Sequence, residues 1–314
     1  MKIISIVVPM YYEEDVVNEC YSRLTKVMSE LTDYTYEFIF VDDGSRDKTF
    51  SLLEEIAAKD EKVKVISFAR NFGHQCAVSA GLKYVTGDAA VVIDADLQDP
   101  PEIIPEMIKL WEDGNDIVYA QRRSRKGVSF ILKIAYKLFY RILGYLSDVE
   151  IPLDTGDFRL VGRNVIETVN SMPEHNKFFR GLFAWTGFKQ VPYEYDRDAR
   201  FAGTTKYPLS KLIKLALDGI IGFSSKPLKI VGQLGIITII ISILLLLYSL
   251  ISYFLNRDTI VVGWTSLMVA ITFFSGVQLL SLWVMSEYIA RIYDESKQRP
   301  QFIVVKTINI QKEA

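Results

Sequence analysis

The stretch AAVVIDADLQDPPE, residues 89–102, decides the fold. It opens on a short apolar run rich in β-branched residues, turns acidic at Asp94 and Asp96, and ends at Pro100-Pro101. Such a run predicts a strand over 89–96, buried on both faces and ending in carboxylates. Strand alternation sends Asp94 and Asp96 to one side and Ala95 to the other.

Four more apolar runs read the same way: IISIVV (3–8), YEFIFVDD (36–43), VKVISF (63–68) and DIVYA (116–120). Segments with helical spacing lie between them, over Val16–Leu31 and Thr49–Ala58. Strands alternating with helices predict βαβ units and a parallel sheet, an α/β fold of the Rossmann kind. In such sheets ligands bind beyond the carboxyl ends of the strands. Pro9, Tyr11, Glu13 and Glu14 follow the first strand; Asp42 and Asp43 end the second; Asp94 and Asp96 end the fourth. One acidic strand end is an ordinary turn or cap. Three on one edge repel each other unless a cation or a donor-rich ligand compensates.

Two cysteines, Cys20 and Cys76, exclude a disulfide framework and a Cys-rich zinc site. Two histidines, His74 and His175, argue against a His-based metal centre. A metal here is held by oxygen, which points to Mg²⁺ or Mn²⁺ on Asp94, Asp96 and the amide of Gln98. With 36 basic against 38 acidic residues, bulk charge indicates no nucleic-acid partner.

Half of the 314 residues are hydrophobic, and the surplus is concentrated. Residues 230–256, with IITIIISILLLLYSLISYF at their centre, and residues 259–286 carry no charge apart from the short turn between them. Each exceeds the ~20 residues that cross a bilayer. They predict a two-helix transmembrane hairpin within 226–290. Lys226 and Lys229 before it, and Arg291, Lys297 and Arg299 after it, place both termini in the cytoplasm by the positive-inside rule. Residues 1–225 then form a cytoplasmic catalytic domain and 291–314 a cytoplasmic tail. The tail segment 301–305 reads as a strand that could pair with another subunit, the basis for a homo-oligomer. From Arg122 to Arg141 seven cations, including Arg123 and Arg125, meet no acid and interleave with apolar residues. They predict an interfacial amphipathic helix near 127–146, and a second is expected near 207–224. Arg122, Arg200 and Lys206 are candidates to grip phosphates.

Here the residues carry a resemblance. IVVPMYYEE (6–14), VDDGSRD (41–47), NFGHQCAVSAG (71–81) and DADLQDPPE (94–102) resemble the successive motifs of family 2 glycosyltransferases with the GT-A fold. DTGDFRL (154–160), FRGLFAW (179–185), RFAGTTKYPL (200–209) and the tail EYIARIYDESKQRPQFIV (287–304) resemble the subgroup acting on polyprenyl phosphates. Within it the chain is most similar to bacterial bactoprenol (undecaprenyl-phosphate) glucosyltransferases; dolichyl-phosphate mannose synthases are more distant. The chain departs from the pattern at Tyr12, where these enzymes commonly have Asn.

The resemblance implies transfer of a hexose from a nucleotide-sugar, UDP-glucose by preference, to undecaprenyl or another polyprenyl phosphate at the inner membrane. It places Pro9, Tyr11, Glu13, Asp42 and Asp94 around the nucleoside, and Asp94, Asp96 and Gln98 at the Mg²⁺ or Mn²⁺. It assigns the segment from Arg200 to Lys206 to a loop over the donor, and leaves Arg122 and Arg125 for the acceptor phosphate. Asp157 stands where inverting relatives keep their catalytic carboxylate, as a general base or as a group that orients the acceptor. His74 reads as structural, and Arg180 and Trp185 either shape the acceptor pocket or pack a helix. Other sugars, such as mannose, N-acetylhexosamine or aminoarabinose, remain open. A processive polysaccharide synthase would carry a Gln-x-x-Arg-Trp motif, which is missing here. A non-catalytic membrane tether would not need acids at 42, 94, 96 and 157 together.

Overall fold

Runs of apolar residues that alternate between two faces build the centre of the molecule. The computed structural model describes residues 1–123, 152, 155–175, 177–196, 224–255 and 263–310. In chain order the elements are β1 (Lys2–Met10), α1 (Val17–Ser29), β2 (Tyr34–Asp42), α2 (Thr49–Ala57), β3 (Val63–Phe68), α3 (His74–Lys83), β4 (Ala89–Val92), α4 (Ile104–Glu112), β5 (Ile117–Arg122) and β6 (Thr155–Gly162). They continue with α5 (Arg163–Ser171), α6 (Phe179–Trp185), β7 (Gln190–Tyr195), α7 (Lys226–Leu255), α8 (Trp264–Ser296) and β8 (Val304–Ile308).

The strands form one sheet in the order β7-β5-β6-β4-β1-β2-β3-β8. β3, β2, β1 and β4 run parallel, and β5 runs parallel to β7. β6 is antiparallel to both its neighbours, and β8 is antiparallel to β3. Ile4, Ile6, Val8, Phe38 and Phe40 point into one core, shared with α1, α2 and α4. Val7, Ile39, Val41 and Ile66 point into the other, shared with α3, α5 and α6. Helices cover both faces, which is why these strands read as unbroken apolar runs. Each such side chain fully buried contributes roughly 1.5–3 kcal/mol.

Two local features set the seat of the site. Gly81 lets α3 press onto β1: a Cβ there would lie 2.2 Å from Val7 Cγ1. Pro9, the last residue but one of β1, sits there at no expense to the ladder. Val7 C=O accepts from Ile93 N at 3.1 Å, so Pro9, two residues on, faces β4 where that strand has already ended.

The polar interruption of the strands is itself satisfied. Ser5 and Glu37 are register partners, both buried. Glu37 accepts from Ser5 Oγ (2.5 Å), Thr86 N (2.8 Å), Thr86 Oγ1 (2.8 Å) and Lys64 Nζ. Burial alone would raise its pKa, but these donors outweigh burial and hold it below the usual glutamate value.

The tail corrects one expectation. Its strand begins at Val304 and pairs with β3 of the same chain, Val65 facing Ile308. Phe302 stacks on Phe68 with centroids 5.0 Å apart, and Ile303 C=O accepts from Ala69 N at 3.0 Å. The tail strand expected to pair with a second subunit thus pairs within its own chain, as the last strand of the sheet order.

Both long apolar segments are helical, 30 residues in α7 and 33 in α8. Many of their described apolar side chains are exposed: Ile236 is 61 % and Leu279 67 % exposed. Among the described residues one segment, Phe273–Ser296, is long and apolar enough to cross a membrane by length and composition. The turn 256–262 and the segments 127–146 and 207–223 lie outside the described residues, as do Arg125, Arg200 and Lys206.

Candidate active site

The parallel strands β4, β1 and β2 sit side by side, so their carboxyl ends share one edge. β6 runs the other way and brings its amino end to that same edge. Val92 of β4 faces Arg159 of β6. Carried two residues beyond Val92 and two before Arg159, the same antiparallel register sets Asp94 across from Asp157. Like charges directly across a strand pair repel. The molecule answers with cations and donors from two helices.

Asp157 is 8 % exposed. Its Oδ1 accepts from Arg180 Nε at 2.7 Å, at the start of α6. Its Oδ2 lies 3.0 Å from His74 Nε2 and accepts from Gln75 Nε2 at 3.3 Å, both in the first turn of α3. Gln75 Oε1 in turn accepts from Phe179 N at 3.1 Å and ties α3 to α6. His74 Nε2 also stands 3.7 Å from Asp94 Oδ1. Burial would raise the Asp157 pKa, but Arg180 and His74 overcome it and hold the carboxyl well below the ordinary range. For His74 burial works toward the neutral form; Asp157 and Asp94 outweigh it and push its pKa up to about 9. Asp94 is pushed up to about 6 by burial, with His74 opposing and Asp157, Asp99 and Asp96 adding to the rise.

The first turn of α3 is fixed from β2. Asp43 accepts from Phe72 N (2.7 Å), Gly73 N (2.9 Å) and Asn71 Nδ2 (2.8 Å). Gly73 has φ +104°, a conformation that favours glycine. Asp42 closes the neighbouring turn, accepting from Ser45 N at 3.0 Å and Ser67 Oγ at 2.9 Å. Both acids after β2 are therefore engaged in shaping loops at the cleft.

After β1, Tyr11 and Tyr12 are exposed with rings 4.5 Å apart. Tyr12 has φ +55°, the left-handed region that Asn enters far more readily than Tyr, which accounts for the Asn expected there. Tyr12 N donates to Ser45 Oγ at 3.1 Å, and Glu13 N to Thr49 Oγ1 at 2.9 Å, binding this loop to the one after β2.

Asp94, Asp96 and Gln98 are partly exposed, whereas Ala95, Leu97 and Asp99 between them are buried. The alternation outlasts β4 and turns three oxygen-bearing side chains outward. Asp96 Oδ1 accepts from Gln98 N at 3.1 Å. Among the described residues no group of three or more His, Cys, Asp and Glu could hold a metal by itself. Two carboxylates and one amide fit a hard cation whose remaining ligands are water and a bound diphosphate, the usual situation for Mg²⁺.

Buried Asp99 anchors the other flank. The Tyr195 hydroxyl donates to its Oδ1, and Arg122 Nη2 lies 3.8 Å away. Arg122 Nε donates to the Tyr195 oxygen at 3.3 Å. Gly156 makes room: a Cβ there would sit 3.1 Å from Arg122 Nη2. Arg122 is thus held beside Gly156 of β6. Trp185 is 61 % exposed at the end of α6 and touches none of this.

Sequence reasoning located the carboxylates but missed their partners. His74 reads as structural from sequence, and Arg159 is the arginine nearer to Asp157 along the chain. Arg159 instead is buried, donates from Nη2 to Gly156 O at 3.0 Å and covers the Phe183 ring. Arg180 is the ion-pair partner. No local signal brings residues 74, 157 and 180 together; only the sheet order does.

A model described as glycosyl transferase family 2 matches residues 5–169. An uncharacterized glycosyltransferase of Bacillus subtilis, YkcC, is 50% identical over 309 residues, 98% of this chain and 94% of that protein. The bactoprenol glucosyl transferase of Shigella phage SfV is 40% identical over 301 residues, 96% of this chain and 97% of that protein. Among solved structures, the glucosyl-3-phosphoglycerate synthase of Mycobacterium tuberculosis, in complex with Mn²⁺, UDP-glucose and phosphoglyceric acid, aligns with a TM-score of 0.43 at 23% identity. That alignment covers 70% of this chain and 78% of that one.

Proposed function

The chain belongs to glycosyl transferase family 2, and from that premise we propose that it transfers a hexose, glucose from UDP-glucose, to undecaprenyl or another polyprenyl phosphate. The observation that carries this reading is Asp157, clamped by Arg180, His74 and Gln75 and facing Asp94 across the β4–β6 seam. Similarity over 96% of the chain to a protein named bactoprenol glucosyl transferase supports the lipid acceptor.

In this reading the nucleotide lies over the loops after β1 and β2, against Pro9, Tyr11, Glu13 and Asp42. Asp94, Asp96 and Gln98 would hold Mg²⁺ or Mn²⁺, which neutralises charge on the leaving diphosphate when bound. Arg122, with Arg125, receives the acceptor phosphate, and Arg200 and Lys206 close over the donor. An oxygen of the acceptor phosphate forms the new bond to the anomeric carbon. The bond to the diphosphate oxygen breaks, and its electron pair leaves with UDP. A phosphate monoester has its second pKa near ~6, so at pH 7 it attacks largely as the dianion and yields no proton. Four negative charges enter on UDP-glucose and acceptor, and four leave on UDP and product. Asp157, held well below the ordinary carboxylate range, is a poor proton acceptor and acts by orienting and by electrostatics. One displacement inverts the anomeric centre.

The two apolar helices supply the membrane. α7 from Ile230 onward and α8 up to Ser286 carry no charge, and together they make the crossing hairpin, with both termini cytoplasmic. The lipid phosphate then reaches the cleft without leaving the bilayer.

The test is transfer of label from UDP-[¹⁴C]glucose into an organic-extractable lipid by detergent-purified protein with undecaprenyl phosphate. Metal-dependent product, lost with EDTA and in Asp96→Ala and Asp157→Ala, supports the reading. Competing unlabelled nucleotide-sugars identify the donor. Silence with every donor, despite metal-dependent UDP binding, would favour a membrane tether.

A further inference from the structure

We propose that His74 is a positioning residue that sets the spacing between Asp94, on the donor side, and Asp157, on the acceptor side. The inference rests on the transferase reading above. β4 ends at Val92, so no ladder hydrogen bond fixes Asp94 against β6. What lies between the two carboxylates is the imidazole edge, 3.0 Å from Asp157 and 3.7 Å from Asp94.

The imidazole is itself rigidly mounted. It opens α3 directly after Gly73, whose backbone N–H, like that of Phe72, is held by buried Asp43. α3 presses on β1 at Gly81. Its position is thus referenced to β1 and β2, the strands whose ends carry the proposed nucleotide pocket. Gln75 and Arg180 also donate to Asp157, but they tie it to α6. His74 links the acceptor-side carboxylate to the donor half of the sheet. In a direct displacement the two halves must present their reactants in line at near contact, where small misplacements are expensive.

The experiment uses the full-length protein in detergent, with UDP-glucose, undecaprenyl phosphate and Mn²⁺. It compares His74→Ala and His74→Gln in the wild-type and Asp157→Asn backgrounds. Loss of one hydrogen bond to a charged group predicts a kcat lower by about 10- to 100-fold in His74→Ala. KM for each substrate and calorimetric UDP affinity should stay within about threefold, since a positioning residue acts through the two carboxylates it touches. His74→Gln, which offers an amide N–H to Asp157, should recover part of the loss. In the Asp157→Asn background the His74→Ala change should cost several-fold less than in the wild type, because the charge it holds at 157 is already gone. Unchanged UDP affinity shows that the variants are folded.

Equal fold-losses in both backgrounds would overturn the proposal, as would a His74→Ala enzyme with kcat near wild type. So would UDP affinity falling in step with activity, which would place His74 in the donor pocket. Wild-type protein that transfers no sugar from any donor would instead sink the transferase reading, and the proposal with it.

Discussion

Replacing Asp157 by Asn separates an orienting carboxylate from a proton acceptor. The native side chain takes Arg180 on Oδ1 at 2.7 Å, and His74 at 3.0 Å and Gln75 at 3.3 Å on Oδ2. Asn offers one oxygen and one N–H₂. Its oxygen can serve either Arg180 or the His74–Gln75 pair, and its nitrogen then faces a donor. At least one hydrogen bond to a charged group is lost, worth about 1.5–3 kcal/mol. A half-buried cation is also left without its counter-ion, which adds about 1 kcal/mol or more. A total near 3–4 kcal/mol corresponds to a kcat reduced about 10²- to 10³-fold. The assay is radiolabel transfer at saturating donor and acceptor between pH 5 and 9. Because Arg180 and His74 hold the Asp157 carboxyl well below its ordinary value, it stays ionised over that whole range and adds no step to the profile. The acidic limb should come from the acceptor phosphate, about pH 6, and from Asp94, itself pushed up to about 6, and should persist in Asp157→Asn. A limb that disappears in the variant would refute the orienting role and make Asp157 the base. A variant within threefold of wild type would refute any role for the clamp.

Three further outcomes test the scaffold. Glu37→Gln should lower stability by about 1–3 kcal/mol, since it removes the charge that half-buried Lys64 pairs with inside the sheet; thermal unfolding by near-UV circular dichroism reads it. The folded Glu37 pKa lies below its unfolded value, so its contribution is present above pH ~4.5 and fades as pH falls through the folded pKa; the variant should lose that part of the acid sensitivity. Gly81→Ala forces a methyl to within 2.2 Å of Val7 Cγ1; overpacking of about 1–3 kcal/mol should lower the melting temperature, and displacement of α3 should lower kcat as well. Tyr12→Asn relieves a left-handed tyrosine at φ +55° and should raise the midpoint of chemical unfolding, by about 0.5–1 kcal/mol, unless the exposed Tyr12 ring is itself needed for binding, which the UDP affinity of the same variant reports.

The strands and their helical connections were legible because burial on two faces leaves a continuous apolar signature. The runs 63–68 and 89–92 needed no tertiary knowledge to find. Acidic strand ends were legible for a related reason: a charged residue closing a buried apolar run stands out, and it recurs at Asp42 and Asp94. Strand order was not legible in the same way. That β6 returns antiparallel beside β4 depends on a long-range pairing, Val92 with Arg159, which no periodicity encodes. The tail strand failed similarly. Its pattern reveals an edge-pairing segment, but a partner within the chain and a partner on another chain look alike until the free edge of β3 is known.

What the sequence by itself determined is therefore the class of fold, the identity of the carboxylates and the two apolar segments that ask for a non-aqueous surrounding. These follow from short-range rules: side-chain period, turn chemistry and segment length. The tertiary structure alone decided which cations meet which carboxylates. His74, Gln75 and Arg180 come from two separate helices, and Arg159, the nearer arginine in sequence, turns instead to the Gly156 carbonyl and Phe183. Coulombic and hydrogen-bond energies depend on distances of 3–4 Å, and such distances between residues 23 to 83 positions apart are set only when β4 and β6 pair and α3 docks on β1.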